Sequence, residues 1–425
     1  MVKCPPRFVS RIFSVPQIKS SRNSLKKNTI WMMAGNTYYS LCQWLVLVII
    51  ARFGGTKDVG VFTLGLAITT PVVMFFALGM RTILATDTRQ ERDFSAYFLV
   101  KTITSIGVLV VCFGIALWFS QGKWLVIFIV AISKTIESIS DMCYGYAQQD
   151  QRLDRVAISL IVRGTLSTSL LAIIYMETND LAASVCAYTA SWLFILFIYD
   201  RKNLPETPLH FDKQVAAGMR SLFQIGLPLG ITGLMGLLGP NIPRYVLENA
   251  YGAEALGVFS GMAYFITIGN IPVMALGQSL VPILANYHEK KEHKSFFSLV
   301  LKALASILVM GLLGIAAAYL LGAFVLNLVY GPEFATRADV LPLIAIAAAI
   351  GYLGNILGYT VSAAKIYIAQ APAFAFVALT SLCCALVLIP RFGVEGAAYT
   401  MVLNSLMSLL APILLLFIYR KRKIA

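Results

Sequence analysis

Charge is what this chain has least of. Only 13% of its 425 residues are Asp, Glu, Lys or Arg, while 58% are hydrophobic. A water-soluble globule carries about 25% charged residues to cover its surface, so the shortfall excludes a soluble fold. Acidic residues are the scarcer sign, 20 against 34 Lys plus Arg. The three histidines (His210, His288, His293) fall in polar connections and do not cluster like ligands. Six of the seven cysteines (Cys42, Cys112, Cys143, Cys186, Cys383, Cys384) lie in apolar stretches without CxxC spacing. Neither a disulfide framework nor a metal site is indicated. No GxxxxGK[ST] loop occurs, which excludes an ATP engine within this chain, and no cofactor is expected. Residues 1–28 are basic, yet no short apolar region with a small-residue cleavage site follows, so no cleaved signal is expected.

Long apolar runs are what the chain has instead. A helical crossing needs about 20 mainly apolar residues, and such stretches lie near 29–51, 61–79, 98–119, 124–146, 156–175, 181–199, 222–244, 258–285, 298–325, 340–363, 367–389 and 397–419. They predict an all-α polytopic membrane protein with twelve transmembrane helices in two six-helix bundles. The parts would be a basic arm (1–28), a first bundle (29–199), a cytoplasmic linker (200–221) bearing Pro205 and Pro208, a second bundle (222–419) and a basic tail (420–425). With both termini in the cytoplasm, only Arg52, Lys57, Lys123, Arg337 and Arg391 fall outside, against 26 Lys and Arg inside. The positive-inside rule supports that orientation. It also accounts for the +14 formal charge without a nucleic-acid partner. The basic arm would touch anionic lipid at about 1 kcal/mol per residue near the surface. Outside connections are short, the longest running from about Asn327 to Asp339, which leaves no domain for an active site. The chain is not expected to be an enzyme.

The two halves repeat. Gly55-Thr-Lys-Asp-Val-Gly60-Val61-Phe62-Thr63 aligns with Gly252-Ala-Glu-Ala-Leu-Gly257-Val258-Phe259-Ser260 at an offset of 197 residues. Glycine permits a tight turn between antiparallel helices. Six spans is an even number, so the halves share one orientation. Transporters built on such parallel repeats bind substrate between the halves near mid-membrane.

Five ionisable residues fall within the predicted spans. Span four carries Lys134, Glu137 and Asp141 at spacings of three and four, hence on one face. Ser138, Tyr144, Gly145 and Gln148 extend that stripe. Span five carries Arg163, and span seven is expected to end in the helix-breaking run Gly239-Pro240-Asn241-Ile242-Pro243-Arg244. Each buried charge costs roughly 2.5–3.5 kcal/mol at a helix centre, so it faces a partner or a cavity. Depth predicts an Asp141–Arg163 pair between neighbouring helices, and Lys134–Glu137 a pair along one helix. Two readings stand. In one, these are neutralised packing pairs. In the other, Arg163, Arg244 and Lys134 line a cavity of positive surplus suited to an anionic phosphate, with Glu137 and Asp141 as proton or sodium sites. Asn36, Tyr38, Tyr39, Gln43, Asn241, Asn270, Gln278, Tyr352, Asn355 and Tyr359 are further candidate wall residues, and helix-packing hydrogen bonds explain any one of them equally well. Trp31, Trp124 and Trp192 read as interfacial or packing residues.

Several segments carry a family likeness. They are Ala51-Arg-Phe-Gly-Gly55 with Gly60-Val-Phe62, Leu78-Gly-Met-Arg-Thr82 with Asp87, and Tyr144-Gly-Tyr-Ala-Gln-Gln149 with Arg163-Gly164. Asn241-Ile-Pro-Arg-Tyr245, Gly257-Val-Phe259, Ala275-Leu-Gly-Gln-Ser279 and Tyr330-Gly-Pro-Glu333 continue the series. In their order along the chain they resemble the bacterial polysaccharide flippases that move O-antigen and capsular repeat units, within the multidrug/oligosaccharidyl-lipid/polysaccharide exporter superfamily. The resemblance implies a V-shaped pair of bundles around a central cavity in the bacterial cytoplasmic membrane. It implies an undecaprenyl-pyrophosphate-linked oligosaccharide as substrate, and polymerases or ligases as partners. Relatives in the superfamily often place an Asp before the span-seven Arg where this chain has Pro243, so cation coupling is not borrowed for that position. The alternatives are a multidrug exporter, which needs a carboxylate-dominated cavity, and a membrane-embedded polymerase or glycosyltransferase, which needs a large outer loop or acidic motif.

Overall fold

Inside a bilayer every backbone N–H and C=O must be satisfied by the chain itself, and a helix does this within one segment. The computed structural model, described over residues 22–87, 93–118, 123–205, 209–290, 292–364 and 370–424, follows that rule and is helical throughout its apolar runs. The elements are α1 (Arg22–Ala77), α2 (Met80–Thr86), α3 (Phe94–Trp118), α4 (Trp124–Gln149), α5 (Leu153–Thr178), α6 (Leu181–Ile198), α7 (Lys213–Glu289), α8 (His293–Val329), α9 (Pro332–Ala335), α10 (Leu341–Ala363) and α11 (Gln370–Ile424), with short 3₁₀ turns at Asp200–Asn203 and Ala338–Val340. The basic arm up to residue 21 and the loop cations Arg89, Arg92, Lys291 and Lys365 lie outside the described residues. Among the described residues, eight helical segments are long and apolar enough to cross a membrane.

Three of the long helices turn at one glycine each. Gly55 (φ 70°, ψ −167°), Gly252 (φ 79°, ψ −176°) and Gly393 (φ 57°, ψ −125°) adopt backbone that residues with a Cβ rarely reach. The first limb of α1 runs alongside α5, where Tyr38 meets Thr165 at 2.9 Å and Thr168 reaches the Cys42 carbonyl at 3.3 Å. The second limb packs on α4 at Gly65 and Val130. Because α4 and α5 are antiparallel, the chain doubles back at Gly55. The repeat read from sequence is thus a structural one: Gly55 and Gly252, 197 residues apart, hold nearly the same dihedrals.

The expected break at Gly239–Arg244 does not occur, and α7 stays helical to Gly252. Pro243 cannot donate to the Gly239 carbonyl, and the Ser381 hydroxyl of α11 donates to it instead, at 2.9 Å. A neighbouring helix supplies the bond that the proline removes, so the helix survives.

The second limb of α1 packs against the first limb of α7. Tyr245 donates to the Ala67 carbonyl, and Gly233, Gly230 and Gly226 lie against Met74, Phe75 and Leu78. The largest apolar cluster joins the halves at the end where the glycine turns lie, through Val46, Ile50, Val59 and Phe62 with Leu247, Phe259, Met262, Leu326 and Phe334. That end is called the turn end below. Elsewhere the apolar surface faces outward: Leu308, Leu312, Leu313, Leu320, Phe324 and Leu328 of α8 are exposed, as lipid-facing residues would be.

Candidate functional site

The polar residues of the first half form one network between α1, α2, α4, α5 and α6. Lys134 donates to Glu137 Oε2 at 2.7 Å, the pair expected one turn apart on α4. Tyr39 of α1 donates to Glu137 Oε1 at 3.2 Å. The expected Asp141–Arg163 pair does not form, because each group has a nearer partner from an element that the sequence reading left in the loops.

Asp141 is paired by Arg81 at 3.0 Å. Leu78 (φ 51°) and Gly79 (φ 61°) end α1 with two left-handed residues, and the short α2 then carries Arg81 back into the bundle. Its guanidinium lies over the Tyr144 ring, 5.6 Å from the centroid. Arg163 donates instead to Asp200 Oδ2 at 2.6 Å and to Ser140 Oγ at 2.5 Å. Asp200 opens the 3₁₀ turn after α6 and also accepts from Ser159 at 2.5 Å. Both members of the Arg163–Asp200 pair have 0% of their side-chain surface exposed. Arg163 is stacked between Tyr144 (5.8 Å) and Trp192 (5.2 Å), with Lys134 over the same Trp192 ring at 5.7 Å. Trp192 is therefore a packing residue with an electrostatic task, since its ring faces two cations.

Sequence reasoning missed Arg81, Asp200 and Lys101 as interior residues. Lys101, placed at a cytoplasmic helix end, is buried and donates to Ser138 at 2.5 Å. The available signal was Leu78-Gly79: two consecutive positive-φ residues, one of them glycine, make a reversal that returns the next side chains to the core.

In the second half Arg244 donates to Asn241 Oδ1 at 2.6 Å, and Asn241 donates to the Leu237 carbonyl at 2.8 Å. Among the described residues no acidic side chain pairs with Arg244, and its Nε is enclosed without a hydrogen-bond partner. Tyr264, on the second limb of α7, packs against the apolar cluster that joins the halves. Tyr188 and Gln43 exchange hydrogen bonds at 2.9 and 3.0 Å beside it, and Trp44 donates to Tyr330 at 3.0 Å. The Trp44–Tyr330 bond thus ties the first limb of α1 to the end of α8. Asn36 is exposed on α1, and Asn355 donates to Asn270 at 2.9 Å on the far side. Charged N–H donors such as those of Lys134, Arg81 and Arg244 bind an anionic oxygen more strongly than neutral ones do.

Comparison with known proteins gives the chain a family. The polysaccharide biosynthesis protein family model matches residues 25–288. The chain belongs to that family. This polysaccharide biosynthesis family member is 27% identical over 390 residues to the capsular polysaccharide biosynthesis protein CapF of Staphylococcus aureus, covering 91% of this chain and 97% of CapF. It is 23% identical to a putative O-antigen transporter of Shigella flexneri, covering 64% and 69% of the two chains. Among solved structures it is similar to the lipid II flippase MurJ in an inward closed conformation, with a TM-score of 0.75, 10% identity, and coverage of 91% and 87%. At that identity the likeness concerns the fold alone. The family member is a multi-pass membrane protein whose described residues share the helical fold of that neighbour.

Proposed function

We propose that this protein carries an undecaprenyl-pyrophosphate-linked oligosaccharide repeat unit across the bacterial cytoplasmic membrane, by alternating access between two six-helix bundles. Each limb of the three turned helices, together with α3, α4, α5, α6, α8 and α10, counts as one crossing. The termini are cytoplasmic and the turn end faces outward.

The observation that carries this reading is Arg244, a half-buried cation whose partner is an amide and whose Nε is enclosed without a hydrogen bond. Such a guanidinium has donors to spare for an arriving anion, and it suits a pyrophosphate because it can donate two parallel hydrogen bonds. Asn241 orients Arg244. Lys134 and the half-exposed Arg81 face the cargo from the other bundle, with Asn36 on the entry path. Arg163 acts from behind the wall, holding α4 and α5 in place through Asp200, rather than by touching phosphate. Glu137 and Asp141 already carry cation partners, and a phosphate that draws Lys134 or Arg81 away would free a carboxylate to take a proton or sodium ion. The rings of Tyr39 and Tyr264, each only partly buried, offer the faces on which sugars stack.

Complementation of a flippase-null strain supplied with cognate sugars tests the reading, with lipid-linked repeat units assayed in each leaflet. The native chain should restore outer-leaflet units, and Arg244→Ala at equal membrane level should lower them at least about tenfold, the loss of one charged hydrogen bond worth 1.5–3 kcal/mol. Failure of a well-expressed native chain with cognate sugars would refute the proposal.

A further inference from the structure

The halves meet at the turn end through their repeated motif, and the meeting is reciprocal. A Cβ on Gly60 would run into the backbone carbonyl of Ala253, and one on Gly257 into that of Thr56. Ala253 is Thr56 advanced by 197 residues, and Gly257 is Gly60 advanced by the same number. Each copy of the motif therefore presents a glycine to the carbonyl of the other, and the backbones touch without side chains between them.

A second feature fastens this seam from above. The last turn of a helix leaves carbonyls without helical partners and carries the negative end of the macrodipole. In α8 those carbonyls are taken by Arg52 of α1, which donates to Val329 at 2.9 Å, to Asn327 at 3.0 Å and to Leu328. Four residues beyond Val329, Glu333 in the first turn of α9 accepts from the Thr56 amide at 3.2 Å and lies against Gly55. Segment 327–333 of the second half is thus tied to the first half on both sides of the Gly55 turn. Deeper along the seam, Lys123 and Glu248 form a mostly buried pair at 2.6 Å.

We propose that segment 327–333 is a strap that holds the outer exit shut, and that Arg52 and Glu333 set how readily the exit opens. Its contacts are exposed to water, so they are weak enough to release in each cycle, whereas the glycine crossing beneath fixes where the halves return. The inference rests on alternating access but not on the identity of the cargo. Arg52, Glu333 and the glycine pair each lie within a segment that carries the family likeness, but none of them contacts the polar network between the bundles.

The test reads exposure of the seam directly. Ser260, buried beside Gly257, is replaced by cysteine in a chain without its native cysteines, and a membrane-impermeant maleimide is added from outside. Glu333→Gln and Arg52→Gln should each speed labelling at Ser260→Cys by about threefold or more, since the first takes the charge from one exposed hydrogen bond and the second removes the guanidinium that makes three. Glu254→Gln, a neighbouring exposed carboxylate, should leave the rate unchanged. Unaltered labelling in both strap variants at native protein level would overturn the proposal. As a second measurement, a short bifunctional maleimide joining Arg52→Cys to Leu328→Cys should abolish outer-leaflet delivery in cells where the uncrosslinked double variant still delivers. Delivery persisting at complete cross-linking would also overturn it. A chain that moves no lipid-linked cargo at all, yet shows faster labelling in the strap variants, would fail the cargo assignment and keep the strap.

Discussion

Removing Asp200 should unfold the first half more severely than removing any other single carboxylate of the network. Arg163 and Asp200 are both at 0% exposure, so no solvent screening reduces their interaction. Asp200→Ala leaves the guanidinium enclosed with Ser140 as its remaining hydrogen-bond partner, and breaking a buried pair from one side costs about 3–5 kcal/mol. Asp141→Ala should cost far less, since its partner Arg81 is about a third exposed and can turn to water. The assay is thermal unfolding of detergent-solubilised protein followed by fluorescence-detected gel filtration. Asp200→Ala should melt well below the native chain, Asp141→Ala close to it. The double variant Arg163→Met with Asp200→Leu should recover most of the loss, because apolar replacement of a whole buried pair is often neutral. Export by that recovered variant would establish that Arg163 supports the wall without touching the cargo. Equal melting of Asp200→Ala and the native chain would refute the reasoning.

Arg244→Lys should keep the charge but lose the two-pronged geometry, so export should fall while membrane level and melting hold, measured by the leaflet assay against Arg244→Ala. Gly257→Ala should disturb the crossing with Thr56 and lower the melting temperature more than Gly314→Ala, whose Cβ would meet open space. Asp93, at the start of α3 on the polar face opposite the turn end, accepts from the Ser95 amide at 2.7 Å, and that bond holds its carboxylate below the ordinary value. A depressed folded value means that its stabilisation is complete above the unfolded carboxylate value of about 3.9 and is lost as pH falls through the folded one. Removing it with Asp93→Asn should therefore lower the melting temperature slightly near neutrality and converge with the native chain well below about pH 4, which flattens the acid limb of the curve.

Long apolar runs were enough to read an all-helical membrane fold, because a bilayer allows such a run one structure. The duplication was legible too, since Gly55 and Gly252 are required by backbone geometry and cannot be varied freely. The partners of the buried charges were harder. Pairing Asp141 with Arg163 assumed that only residues inside apolar runs are interior. Arg81 and Asp200 belong to connections by composition, yet a left-handed reversal at Leu78-Gly79 and a 3₁₀ turn after α6 fold both inward. The break expected at Pro240 and Pro243 failed for a similar reason. Proline removes a donor locally, but whether the helix stops depends on a hydroxyl 138 positions away from Pro243, at Ser381, which no local pattern announces.

The reciprocal crossing of Gly60 on Ala253 and Gly257 on Thr56 has the form of an isologous interface, in which one surface meets its own copy. Two separate chains, each the length of one half, would make that same contact as a homodimer before any fusion joined them. The linker then needed only to connect partners already in register. A lesion at one glycine strikes a contact shared by both halves, so its twin 197 residues away gives no redundancy: a Cβ at either position strains the crossing, and one at both strains it twice.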